Sequence, residues 1–363
     1  MPPGLGEEIS DLRDQVTANC NRSDARYAGS LSLCGLLLRL REFYKWEQGL
    51  PPWAEVDSPV ILAWIEAKEN SWEPLAEDES KPLLWRGRRI DPFDSALVNR
   101  DIIADGLFYG AGLAAFLKPS FFLARVLEER DLDGIRVLRL GEEHARDLFA
   151  SPAQTLDDII VARRGPLAAF LWDTLQYGEK SRRKALDLAA WVYGLKSGSP
   201  PGAEEWKNRF EAMVERETEP LVRHELGEIR DSVFQKELWR DLIGAHPHSR
   251  VELLARAIKD VLADTAEFGR LGFIVKSRRL GSLGVFAAWH DGLAARIFEE
   301  FAPAFERFLE TKDWDLIDAV REKGWEKAAG LARRLSELAA EGRDRPAWLV
   351  EQVQKIFYAP LGL

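Results

Sequence analysis

Residues 282–301 read SLGVFAAWHDGLAARIFEEF. Placed on a helix at about 100° per residue, Leu283, Phe286, Leu293, Ala294, Ile297 and Phe301 gather on one arc, while Arg296 and Glu299 fall on the opposite side. That pattern predicts a single amphipathic helix with one face in a core. His290 lies in the middle of the apolar arc. A buried imidazole must bond a carbonyl or carboxylate, bind a metal or do chemistry. His290 is therefore read either as a satisfied core histidine or as a catalytic residue.

The same periodicity extends outward over nearly the whole chain, and the expected fold is mainly α, a multihelical bundle-like arrangement. Helix starts are expected at Ser23 or Asp24, at Ser58-Pro59, at Asp94 running towards Leu117, at Pro119, at Ser151-Pro152, at Pro166, near Ser181 and at Glu204. The second half predicts further helices over Glu219–Asp231, Phe234–Ala245, Ser249–Glu267, Asp313–Ala340 and Pro346–Tyr358. Leu83–Trp85 and Arg88–Ile90 flank an Arg-Gly turn and read as a hairpin, and residues 135–140 read as one further β-like run, so at most a small sheet is expected. Lys196–Ala203, rich in glycine and proline, reads as a linker. The expected organisation is 1–196, a linker at 197–203, and 204–363.

The 363 residues are 46% hydrophobic and 10% aromatic, ample for a sizeable core. Two cysteines, Cys20 and Cys34, make no disulfide framework, and the N-terminus has no secretory pattern, so a cytoplasmic protein is expected. The longest uncharged runs, Tyr27–Leu38 and Gly106–Leu117, are far shorter than the roughly 20 residues a bilayer demands. They read as buried helices. In the second run, the small residues of Gly106–Ala115 suggest close helix packing. Five tryptophans from Trp46 to Trp85 read as core and edge anchors. A net charge of −10 disfavours nucleic acid, although basic clusters occur at 86–89, 180–184 and 276–279. No phosphate loop, dinucleotide fingerprint or nucleophile elbow is present.

Five constellations carry candidate chemistry. His224-Glu-Leu-Gly-Glu228 departs from the zinc-peptidase helix at its fifth position, where Glu228 replaces the second imidazole. His224 and Glu228 nevertheless stand one turn apart, close enough to share an ion, with Glu217 and Asp231 on the same polar stripe. By angle they point away from the main apolar face, so the alternative is a solvated face unless the helix is covered on both sides. Asp260 and Asp264, also one turn apart, lie on the helix capped by Ser249 with Glu252 as its capping-box partner. If the two helices face each other, His224, Glu228, Asp260 and Asp264 form a metal site for zinc, manganese or iron, with His290 and Glu225 as catalytic companions. Glu142–Asp147 around His144 reads as an acidic first helical turn, and His246-Pro-His248 as an exposed loop. Asn19–Asp24 reads as a helix N-terminus, either a plain cap or an anion site.

The run Asn19–Gly29, together with Tyr109–Gly112, Lys118–Phe122, His224–Glu228 and Lys259–Thr265, resembles an uncharacterised bacterial protein family of unknown function, over most of the chain. The resemblance implies a bacterial cytoplasmic setting and carries no activity with it. Three functions remain open on the residues. They are a metal-dependent enzyme activating water or oxygen, a helical interaction or assembly protein with a protein partner or homo-oligomer, and a phosphate or nucleic-acid binder.

Overall fold

The computed structural model describes residues 5–114, 117–178, 182–196, 200–234 and 236–362. Contacts divide the chain into two compact units, Met1–Trp172 and Asp173–Leu363. Ser197–Ser199 of the expected linker, Lys180 and Ser181 of a basic cluster, and Ala115 of the small-residue run lie outside the described residues. Among the described residues no helix is long and apolar enough to cross a membrane.

Unit 1 packs helices on a curled sheet. It opens with α1 (Leu5–Tyr27), α2 (Leu33–Glu47) and α3 (Ser58–Trp72), followed by the hairpin β1 (Leu83–Trp85) and β2 (Arg88–Ile90). The hairpin pairs as its sequence predicts, with Arg86 and Gly87 in the turn at positive φ. After α4 (Ser95–Ile102) come β3 (Leu107–Leu113), β4 (Pro119–Leu132), β5 (Ile135–Arg146), β6 (Ala153–Leu156) and β7 (Ile159–Arg163). These five form one sheet in the order β3-β4-β5-β7-β6, antiparallel except for the parallel β5–β7 pair. Register shifts between Leu123 and Glu128 bulge β4 and bend the sheet.

This sheet corrects the expectation of a minor β element. The helix expected from Asp94 does start there, as α4 capped by Asp94, but it ends at Ile102 and β3 replaces its second half; the helices expected from Pro119 and from Ser151-Pro152 give way to strands, and Glu142–Asp147 is the end of β5 and the residue after it rather than a helical turn. The cause is burial on both faces. Phe108, Phe122, Ala124, Leu138 and Leu140 pack on one side, while Tyr109, Phe121, Leu123 and Ala145 pack on the other against Leu12, Val16 and Cys20 of α1. Strands buried on both faces lose the apolar–polar alternation that marks a strand in a sequence. The small residues of Gly106–Ala115 serve the sheet, too. Gly110 pairs with Phe122, whose ring occupies the space a Cβ would need.

The first helix also begins earlier than expected. Asn19–Asp24 lies in the last turns of α1, not at a helix N-terminus, and the side chains of Asn19, Cys20, Ser23 and Asp24 bond backbone groups elsewhere in the unit. Asn19 bonds both the carbonyl and the N–H of Lys81 at 2.8 Å, and Cys20 Sγ donates to the Phe121 carbonyl at 3.1 Å. A separate α2 is capped by Ser32, which accepts from Gly35 N–H. It is not a central helix, since Leu33 is 73% exposed.

Unit 2 is helical. The helix α5 (Arg164–Tyr177) runs across the boundary into it, followed by α6 (Arg183–Val192), α7 (Glu204–Arg230), α8 (Lys236–Ala245), α9 (Arg250–Thr265), α10 (Arg270–Lys276), α11 (Leu280–Trp289), α12 (Gly292–Ile297), α13 (Phe301–Thr311), α14 (Trp314–Glu341) and α15 (Pro346–Val353). The centre is α9, which packs on α7, α8, α10, α12 and α14. Its cap forms largely as its sequence predicts: Ser249 Oγ accepts from Glu252 N–H, and Glu252 reaches back to the N–H of His248, one residue beyond the expected partner. Residues 282–301 do not form one helix. Asp291 is extended and Gly292 has a φ of +57°, so the apolar arc is divided among α11, α12 and α13.

Candidate metal centre between two helices

The helices α7 and α9 meet where neither carries a bulky side chain. A Cβ on Gly227 would lie 2.4 Å from the carbonyl oxygen of Ala263 and 2.8 Å from its Cα. Gly227 sits between His224 and Glu228 in sequence, and Ala263 sits between Asp260 and Asp264. The close approach therefore sets the two i, i+4 pairs against each other, and the second face of α7, which by angle points away from the main core, is covered.

One ligand-capable atom from each of His224, Glu228 and Asp260 lies within 4.8 Å of the others. His224 Nδ1 bonds Asp264 Oδ1 at 2.8 Å, and His224 Nε2 stands 3.6 Å from Glu228 Oε1. The other oxygen of Glu228 accepts from Lys259 Nζ at 3.1 Å, and that ammonium rests on the face of Trp239 at 4.1 Å. Carboxylates accept only, so the short contact to Asp264 places a proton on Nδ1. Nε2 is thereby turned towards Glu228 and Asp260.

The charges in this crevice shape one another. Burial alone would push the His224 imidazole down, but Asp264 and Glu228 hold it well above its ordinary value. Burial raises Asp264 as well, and the imidazole overrides that and lowers it, helped by the charge of Arg270. Asp260 has no such direct partner. Its carboxyl is pushed up to about 7 by burial and by the neighbouring Glu228 and Asp264, with His224 and Arg256 pulling the other way.

The remaining candidates are placed elsewhere. His290 ends α11, and its Nε2–H donates to the Phe298 carbonyl at 3.1 Å. Its ring stacks on Phe286 and meets Phe298 and Phe301 edge-on. This is the satisfied core histidine, and burial pushes its pKa down. Glu225 is buried one position beyond His224, about 100° round the helix, and does not belong to the cluster. Glu217 leaves the polar stripe and accepts from the Tyr193 and Ser282 hydroxyls, while Asp231 accepts from the N–H groups of Val233 and Phe234 just past α7. His246 and His248 sit in the α8–α9 loop. A groove of about 770 Å³, lined among others by Gly227, Arg230, Phe268, Arg321 and Trp325, opens without contact to any of the four candidate ligands.

Unit 1 contains a charged interior that joins Asp24 of Asn19–Asp24 and Glu143, Arg146 and Asp147 of Glu142–Asp147 to Glu42, Lys118 and Arg163, three residues the sequence did not single out as site candidates. Glu143 is bound by Arg163 at 2.6 Å and Arg146 at 3.4 Å, and Arg146 also reaches Glu42 at 2.6 Å. Lys118 sits between Asp24 and Asp147. A single charge closing the uncharged run Gly106–Leu117 was the available signal for Lys118.

Neither a curated protein nor a solved structure matches the chain. Residues 11–163 match the N-terminal domain, and residues 168–356 the C-terminal domain, of a family of unknown function, DUF6866. The chain belongs to this DUF6866 family.

Proposed function

We propose that unit 2 binds one divalent transition-metal ion, zinc, manganese or iron, through His224 Nε2, Glu228 and Asp260, and that the protein is a cytoplasmic metal-dependent enzyme acting on water or oxygen. The observation that carries this reading is the mutual approach of three donor atoms from two helices around an imidazole whose other nitrogen is anchored. Two donors bound tetrahedrally to one ion at about 2.1 Å stand roughly 3.4 Å apart. The 3.6 Å between Nε2 and Glu228 is close to that spacing without rearrangement. Asp264 plays the part of the outer carboxylate that fixes tautomer and ring orientation of a ligating histidine.

Three protein ligands leave a coordination position open, which is what an ion needs to lower the pKa of a bound water. Lys259, beside Glu228, supplies a positive charge at the edge of the same crevice. Elemental analysis of the purified full chain tests the proposal. One equivalent of metal, or a rise in melting temperature on adding zinc, manganese or iron that is lost in His224→Ala and Asp260→Ala, is expected. Absence of both stoichiometric metal and thermal gain refutes it.

A second reading rests on exposed apolar side chains in unit 1. Leu33 and Leu37 of α2 and Val60 and Leu62 of α3 face solvent, which suits a contact with a protein partner or a second copy. Light scattering of the wild type and of Leu33→Asp distinguishes a self-associating chain from a monomer.

A further inference from the structure

Unit 1 encloses a triad that the metal reading does not use. The side chains of Lys118, Asp24 and Asp147 have no solvent exposure at all. Lys118 immediately precedes β4, Asp24 belongs to the last turn of α1, and Asp147 follows β5. Lys118 Nζ lies 3.0 Å from Asp24 Oδ1 and 3.3 Å from Asp147 Oδ1, with the face of Phe149 at 4.7 Å.

The two acids are held differently. Asp147 Oδ2 accepts from the Ser120 hydroxyl at 2.5 Å and the Phe121 N–H at 3.1 Å, and Oδ1 accepts from the Phe149 N–H at 2.8 Å. Asp147 therefore rests as a carboxylate, the form that can accept a proton and pass it on. Asp24 accepts one backbone bond, from Leu148 N–H to Oδ2 at 2.9 Å. Its Oδ1 faces Lys118 Nζ at 3.0 Å. Burial pushes the Asp24 carboxyl up to about 6, against the pull of Lys118.

Burying an ammonium and a carboxylate costs several kcal/mol per ion, and excellent geometry is needed to offset it. Lys118 Nζ is shared among Asp24 Oδ1 at 3.0 Å, the Pro119 carbonyl at 3.2 Å and Asp147 Oδ1 at 3.3 Å, and Asp24 is the acid with fewer backbone bonds. Joining the two side chains as an amide removes both charges from the interior. We propose that Lys118 and Asp24 condense into an intramolecular isopeptide bond, with Asp147 as the proton carrier.

The atoms balance without an outside reagent. Asp147 carries a first proton from the Lys118 ammonium to the Asp24 carboxylate, and the neutral Nζ attacks Cγ of Asp24. The Nζ–Cγ bond forms, Asp147 carries a second Nζ proton to the hydroxyl on Cγ, and the bond from Cγ to that oxygen breaks, so one water departs, one hydrogen stays on the amide nitrogen and Asp147 ends as the carboxylate it began as. Nothing is oxidised or reduced. Enclosure at contact distance gives effective concentrations on the order of 10⁵ M or more, which is how an unactivated carboxyl becomes reactive. The product ties α1 to the start of β4.

Intact mass spectrometry of the purified, denatured full chain tests this directly. The expected mass is lower than the sequence mass by one water, about 18 Da. Tryptic mapping is expected to recover Ser23–Arg26 joined to Asp101–Arg125. Lys118→Met is expected to return the chain to its full sequence mass, as is Asp147→Asn, which keeps residues 24 and 118 but removes the carrier. A wild-type chain at full mass overturns the proposal, and so does a mass loss in which the two peptides run separately, since that marks a cyclised Asp24 instead. Condensation persisting in Asp147→Asn overturns the role given to Asp147.

Discussion

Substituting Gly227 by alanine probes the contact on which the candidate centre depends. The new methyl would meet the Ala263 carbonyl oxygen at 2.4 Å and two further backbone atoms within 2.9 Å. Ordinary contact begins near 3.4 Å, so α7 and α9 must part locally by about 1 Å. Backbone atoms offer no rotamer escape. Overpacking of this kind costs about 1–3 kcal/mol, against a gain of about 1 kcal/mol from replacing glycine inside a helix. The same displacement stretches the 2.8 Å His224–Asp264 bond past hydrogen-bonding range, which costs about 1.5–3 kcal/mol more for a charged pair. We expect a net loss of about 1.5–5 kcal/mol in urea unfolding. Gly330→Ala serves as the control. It is exposed on α14 with nothing within 4 Å of its would-be Cβ, and the same chemical change there should stabilise by about 0.5–1 kcal/mol. Metal titration completes the assay, with binding weakened in Gly227→Ala and unchanged in Gly330→Ala. Were Gly227→Ala to stabilise the chain as much as Gly330→Ala and bind metal normally, the close approach of the helices would be refuted.

Other outcomes follow from the same geometry. Asp264→Asn leaves all three proposed ligands in place but removes the charge that orients His224, so calorimetry should show metal affinity falling about 10–100-fold, and an unchanged value would deny Asp264 its role. Affinity should climb with pH. Asp260, held up at about 7, and His224, held above its ordinary value, both carry a proton in acid and must release it to bind a cation. The slope is then about a hundredfold per pH unit below that value and about tenfold above it, whereas a flat profile excludes these two groups as ligands. Lys259→Met takes a competing cation away from Glu228 and should tighten metal binding several-fold in the same titration. Weaker binding would show that Lys259 organises the site instead.

How far a sequence discloses its fold depends on which faces are wet. In unit 2 most helices have one solvated side, and α9 and α14 appear in the sequence with their caps, because Ser249 and Asp313 precede clean amphipathic patterns. The break at His290–Asp291 hides inside such a pattern, since angular periodicity continues across Asp291-Gly292 while the backbone does not. Unit 1 withholds its sheet for the opposite reason. The first halves of β3 and β4 are covered on both sides, so Leu107–Gly110 and Phe121–Ala124 are uninterrupted apolar or small residues with no period of two. The short β1–β2 hairpin is announced by its glycine turn, and residues 135–140 at the start of β5 by a run of β-branched and apolar residues broken by arginines.

The candidate centre was half legible for a related reason. Spacing alone puts His224 with Glu228 and Asp260 with Asp264, because one helical turn is a local property. Whether the two pairs meet is set by Gly227 and Ala263, residues with no chemistry of their own. Their smallness is meaningful only once α7 and α9 are known to cross there. Lys259 is the instructive case. In the sequence it is the residue before Asp260, yet its ammonium leaves its own helix neighbours for Glu228 on α7 and the ring of Trp239 on α8. A charge that bridges three helices restrains the crevice without closing it. That arrangement holds Glu228 in place for an incoming ion while leaving Nε2 of His224 and the Asp260 carboxyl free to change protonation state.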